Sequence, residues 1–73
     1  IKVMGKNNMQ FEGAVLAIFN QFVPDLSEGA ITLRESKENN FLAMTVTFTA
    51  ISQKQIDQIY TALSAAEDVI MAL

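Results

Sequence analysis

From Leu42 to Ala50 the side chains alternate in character with a period of two, and no other stretch limits the fold as strongly. Leu42, Met44, Val46, Phe48 and Ala50 fall on one face, and Phe41, Ala43, Thr45, Thr47 and Thr49 on the other. Successive side chains of a strand point to opposite faces, so the even-numbered set requires a hydrophobic cover. Threonine suits a pleated surface that is half exposed. The stretch therefore reads as a strand whose sheet is covered on one side only.

The cover is supplied by two amphipathic segments. Phe11, Val15, Ile18, Phe19 and Phe22 recur at helical spacing, with Ala14 on the same side. Asn7 is the expected N-cap, with Gln10 three residues on, and Glu12 places a negative charge in the first turn. Gly13 costs up to about 1 kcal/mol relative to alanine inside a helix, and close helix-to-sheet packing is its expected compensation. Pro24 ends the segment, because it lacks the N–H of the helical ladder and restricts Val23 before it. The second helix opens at Ser52. Ser52 with Gln55 has the form of a capping box, and Ile51 with Ile56 that of a hydrophobic staple. Ile56, Ile59, Tyr60 and Leu63 form its apolar stripe, while Lys54, Asp57, Gln58 and Thr61 face water.

Three further strands complete the pattern. Ile1 to Gly5 alternates, with Ile1 and Val3 opposite Lys2 and Met4. Ala30 to Ser36 places Ile31 and Leu33 opposite Thr32 and Arg34, and Lys37-Glu38-Asn39-Asn40 suits a hairpin turn. After Glu67 and Asp68, Val69, Met71 and Leu73 share one face of a last strand. The order β-α-β-β-α-β implies an α+β, ferredoxin-like two-layer sandwich. Its four-stranded antiparallel sheet carries both helices on one face and leaves the other open. With 73 residues, one domain spanning 1–73 is expected.

Composition removes several functions. There is no cysteine, hence no disulfide and no thiolate metal site, and no histidine, hence neither the commonest metal ligand nor the usual neutral-pH base. The net charge is −3, and the five basic residues are spread over the chain rather than gathered in a stripe. Nucleic-acid binding is therefore not expected, since phosphate neutralisation supplies most of that affinity. No apolar run approaches the roughly 18 residues of a membrane span, and no secretory signal is visible. A cytoplasmic protein without a cofactor is the expectation. The chain starts at Ile1, so its natural start is expected to be missing.

With these elements placed, the chain resembles the YbeD-like family of small bacterial proteins. The resemblance is carried by Lys2-Val3-Met4-Gly5, by Pro24 after the first helix and by Met44-Thr45-Val46-Thr47-Phe48-Thr49-Ala50. Gln55-Ile56, Ile59-Tyr60, Leu63 and Val69-Ile70-Met71-Ala72-Leu73 extend it over nearly the whole chain. The family's usual proline- and phenylalanine-containing leader is lacking, and the loop around Asp25 to Gly29 departs from the family pattern. The resemblance implies an ACT-like domain, a ferredoxin-like module that binds small metabolites at subunit interfaces, and a setting near lipoate attachment.

Two places in the chain are candidate sites. Gly5, Lys6 and Asn7 join the first strand to a helix N-terminus, where free N–H groups can hold an anion. Turn formation by Gly5 and capping by Asn7 account for the same residues without a ligand. Met4, Ile70 and Ala72 are expected on the face away from the helices, as a self-association surface. The leading expectation is a non-catalytic regulatory or protein-interaction module, forming a homo-oligomer or binding a protein partner, with a small-molecule effector. A small enzyme or acyl-group handler using the loop at Lys6 is the alternative.

Overall fold

A computed structural model describes residues 1–36 and 40–73. The elements are β1 (Lys2–Lys6), α1 (Met9–Phe22), a 3-10 turn (Glu28–Ala30), β2 (Ile31–Glu35), β3 (Phe41–Val46), α2 (Gln53–Ala65) and β4 (Val69–Ala72). The four strands form one antiparallel sheet in the order β2-β3-β1-β4, and the expected ferredoxin-like sandwich is what the chain adopts. The hairpin turn expected at 37–40 lies, apart from Asn40, outside the described residues.

The alternation in β3 sets the core. Leu42, Met44 and Val46 point inward beside Val3 of β1, and they meet Phe11, Val15 and Phe19 of α1 and Ile59 and Leu63 of α2. The even-numbered side of the segment thus faces the helices, while Thr45, Thr47 and Thr49 are exposed. The ladder is shorter than the alternation. β3 ends at Val46, where its main chain exchanges both hydrogen bonds with Ile1. Phe48 still turns into the core and meets Phe19 edge to face, the ring centroids 5.8 Å apart. Ala50, expected inside, is exposed.

Local chemistry at the helix ends departs from expectation in three places. The N-cap of α1 is Asn8, not Asn7: its backbone is extended and its Oδ1 accepts from the Phe11 N–H at 2.7 Å. Asn7 instead donates its backbone N–H to the Asn40 carbonyl at 3.3 Å. Gly13 lies on the exposed side of α1, and a Cβ there would meet nothing, so close packing is not its role. At α2, Ser52 caps the Gln55 N–H at 3.1 Å as the sequence implies. No Ile51–Ile56 staple forms, because Ile51 is 79% exposed. The Ile51 N–H is taken instead by Oε1 of Gln55 at 2.9 Å.

Two strands place side chains where simple alternation does not. Leu33 is in register with inward-facing Met44 but remains about half exposed, because β2 is the edge strand farthest from the helix layer. In β4 the register shifts: Gly5 pairs with Val69, Met4 with Met71 and Val3 with Ala72. One extra residue between the first two pairs is a β-bulge, which breaks the period of two. Val69 and Ala72 consequently pack against the core, while Ile70, Met71 and Leu73 are exposed. The expected common face of Val69, Met71 and Leu73 does not exist.

Candidate functional site

The loop after β1 is shaped by packing. Gly5 is buried in the sheet, and a Cβ on it would overlap the Phe11 ring and the Asp68 carbonyl. Its role is to let α1 and the start of β4 approach β1 closely, since only glycine presents no side chain there. Lys6 is exposed, and its N–H donates to the Asp68 carbonyl at 3.3 Å. The Asn8 N–H turns back to the Lys6 carbonyl at 2.9 Å, and Asn7 is exposed between them. The three expected ligand-binding residues therefore adjoin in space, but Gly5 points into the core rather than toward a ligand.

The open face of the sheet is the more distinctive surface. Register places Arg34, Ala43, Met4 and Met71 in one row across all four strands. Lys2 lies beside Thr45, and Thr45 beside Thr32, in the row toward one end; Leu73 joins Lys2 through two main-chain hydrogen bonds of 2.9 and 2.7 Å. Lys6 pairs with Phe41 toward the other end. Paired residues project from the same face, so these side chains form one continuous surface. Met71 is 48% and Ile70 57% exposed, and Phe41 is about half exposed. Beside Phe41 lies a shallow concavity of about 190 Å³, bordered by Lys2, Met4, Arg34, Glu35, Phe41 and Ala43.

Of the expected self-association residues, Met4 lies in the row across the open face, and Ile70 is exposed at the bulge of β4 beside Met71. Ala72 is corrected: it packs against the core, because the bulge in β4 turns it inward. Met71, expected with the core residues, takes the place opposite Met4. A bulge of this kind leaves no plain mark in the four-residue strand; the signal available was Gly5, whose lack of a side chain admits the Asp68 carbonyl.

A second concavity, of about 530 Å³, opens at the end of the domain between two loops. Val23 to Ser27 form one wall, Thr47 to Ile51 the other, and Gln55 lies at the base. Gln55 is only 6% exposed, and besides accepting from Ile51 it donates to the Phe22 carbonyl at 2.9 Å. Sequence reading assigned Gln55 to the cap alone and missed this second bond, which joins residues 33 positions apart. Among the described residues no group of three or more Asp or Glu side chains stands together as a metal site, and no helix is long and apolar enough to cross a membrane.

The fold and surface define a small ferredoxin-like α+β domain with an uncovered sheet face that is apolar at its centre. The chain belongs to the family described as protein of unknown function (DUF493), whose model matches residues 1–73, and this is the YbeD-like family that the sequence resembles. It is 38% identical to a UPF0250 protein of Chromobacterium violaceum over all 73 residues, covering 82% of that relative. It is 36% identical to a UPF0250 protein of Nitrosomonas europaea over the same length, covering 84% of it. A UPF0250 protein of a Janthinobacterium species is 40% identical over 65 residues, 89% of this chain and 71% of the relative. No solved structure gives a significant match.

Proposed function

We propose that this domain is a regulatory or protein-interaction module rather than a catalyst, and that the open face of its sheet is the working surface. The observation that carries this reading is the patch formed by Met4, Phe41, Ala43, Ile70 and Met71. A contiguous apolar surface of that kind marks an interaction site in a small protein. Methionine is adaptable at such contacts, and two of the four methionines lie here. The cover is protein, either a second copy of the chain or a different partner, in a cytoplasmic setting. Light scattering coupled to size exclusion across the micromolar range tests the first form. A concentration-dependent rise in mass that Met71→Lys abolishes supports it, and a strict monomer removes self-association from the proposal.

A small-molecule effector is the second reading. It is favoured by the cavity of about 530 Å³ between the Val23–Ser27 and Thr47–Ile51 walls, a size within the range of ligand sites. The family resemblance directs the first screen, by thermal shift, to amino acids and metabolites of the lipoate pathway. A shift for one compound that Thr49→Trp removes supports an effector at this end; a flat screen argues against it. The alternative, an acyl-group handler at Lys6, requires that Lys6→Ala lose a turnover that the parent protein shows.

A further inference from the structure

We propose that the open sheet face is occupied by an acidic, amphipathic segment of another protein. This rests on the reading of that face as the working surface and specifies its partner.

The chain carries a net charge of −3, yet the open face is cationic. Lys2, Lys6 and Arg34 are three of the five basic residues, and alternation and register put all three on this side. Lys2 and Lys6 are four residues apart on β1, about 13 Å, and Arg34 stands two strands from Met4, about 10 Å. The cations form a triangle around Met4 and Ala43, with Phe41 along one side. Among the described residues, Glu12 and Asp57 lie on the helices and Asp25 in the loop after α1. Three acidic residues reach the margins: Glu35, in register with inward-facing Leu42 and at the rim of the concavity, and Glu67 and Asp68 just ahead of β4. Among the described residues, none of the three cations is held in an ion pair.

Charge selects the occupant. A second copy meeting this face about a two-fold axis would set three cations against three, and like charges brought together oppose association. A segment of opposite sign laid across the sheet meets no such opposition. To match, it brings carboxylates to the triangle's corners and aliphatic side chains onto Met4, Met71 and Ile70. A nucleic acid is a poorer fit, because among the described residues Phe41 is the only aromatic on the face and base stacking requires more.

The test uses the full chain and a fluorescein-labelled peptide of alternating Glu and Leu, with alternating Lys–Leu and Glu–Ser peptides as comparisons. Binding is read by anisotropy, and its place by amide shifts in a two-dimensional NMR spectrum. The expected result is that the Glu–Leu peptide binds best, shifts Met4, Ala43 and Met71, and weakens as salt is raised. Lys2→Glu with Arg34→Glu lowers its affinity about tenfold or more, while Lys54→Glu on α2 leaves it within about twofold. Circular dichroism of the double variant checks that its fold is retained, and Thr32→Glu adds one negative charge to the same face without removing a cation. Equal binding of all three peptides, or shifts confined to the helices, overturns the proposal. So does binding of phosphatidylglycerol vesicles or poly(U) RNA in its place. Self-association through Met71 with the acidic peptide inert overturns the acidic partner alone and leaves the working surface standing. Silence of the face toward peptides, vesicles, RNA and a second copy overturns both.

Discussion

The side-chain amide of Gln55 donates to the main-chain carbonyl of Phe22 at 2.9 Å, which ties the first turn of α2 to the last turn of α1. Its oxygen accepts the Ile51 N–H at 2.9 Å, and its own N–H is capped by Ser52. One buried polar residue thus satisfies main-chain groups from two elements. Helix termini leave carbonyl and N–H groups without partners inside the helix, and here a single amide serves both ends. The same residue closes the base of the cavity between the two loops.

Gln55→Leu is expected to destabilise the domain by about 0.5–1.5 kcal/mol, from losing the partly buried hydrogen bonds to the Phe22 carbonyl and the Ile51 N–H. Urea unfolding measures it. Gln55→Glu separates donor from packing, because the carboxylate keeps the acceptor toward Ile51 but turns repulsive toward the Phe22 carbonyl. Burial and that carbonyl both raise the folded-state pKa of the new acid above its unfolded value, near 4.3. The variant is therefore closest to the parent at pH below about 4.3 and loses stability as pH rises through the folded-state pKa. A pH-independent difference from the parent would show that Gln55 acts by shape alone.

Asn8→Ala is expected to cost about 0.5–2 kcal/mol, because it removes the side chain that caps the Phe11 N–H. Thermal unfolding of the variant against the parent measures the cap. A silent Asn8→Ala would remove Asn8 as the residue that begins the helix.

Gly5→Ala is expected to destabilise strongly, by about 1–3 kcal/mol or more, because the added carbon overlaps the Phe11 ring and a main-chain carbonyl that cannot swing away. Lys6→Ala next to it should change stability by no more than about 0.5 kcal/mol, as an exposed substitution away from any cap. Chemical denaturation of both variants checks the pair. A tolerated Gly5→Ala would return this glycine to the ligand-site reading of the loop.

The layer arrangement was legible because it follows from two periods. The alternation from Leu42 through Phe48 and the helical spacing of Phe11, Val15 and Phe19, with Ile59 and Leu63, each admit one core face. What was not legible depends on neighbours distant in sequence. Leu33 alternates correctly yet stays half exposed, because only the sheet order puts β2 beyond the helices. Ala72 and Met71 exchange roles because the bulge opposite Gly5 adds a residue to β4, and nothing in Val69–Ala72 announces it. The cationic triangle was hidden in the same way. Lys2, Lys6 and Arg34 are scattered along the chain and gather only when β1 and β2 flank β3.

Met44→Ala should cost about 2–5 kcal/mol, because its side chain is fully buried between Val3 and the helix layer and its removal leaves a cavity. Thr45→Ala, one residue on and exposed, should cost little, within the few tenths of a kcal/mol that separate strand propensities. The contrast is read from denaturation midpoints. A larger loss at Thr45 would mean that the strand presents its odd-numbered side to the helices.

Gly13→Ala is expected to stabilise the domain. The position is inside α1, on its exposed side, and a Cβ there meets no atom within 4 Å. Alanine loses less backbone entropy than glycine on entering a helix, so the gain is about 0.5–1 kcal/mol. For a domain of this size, about 1 kcal/mol raises Tm by roughly 4–8 °C. Calorimetry on the single variant gives the answer, and the substitution touches neither the open sheet face nor the loop at Lys6. A lowered Tm would mean that α1 packs against something on the side where the structure leaves it open.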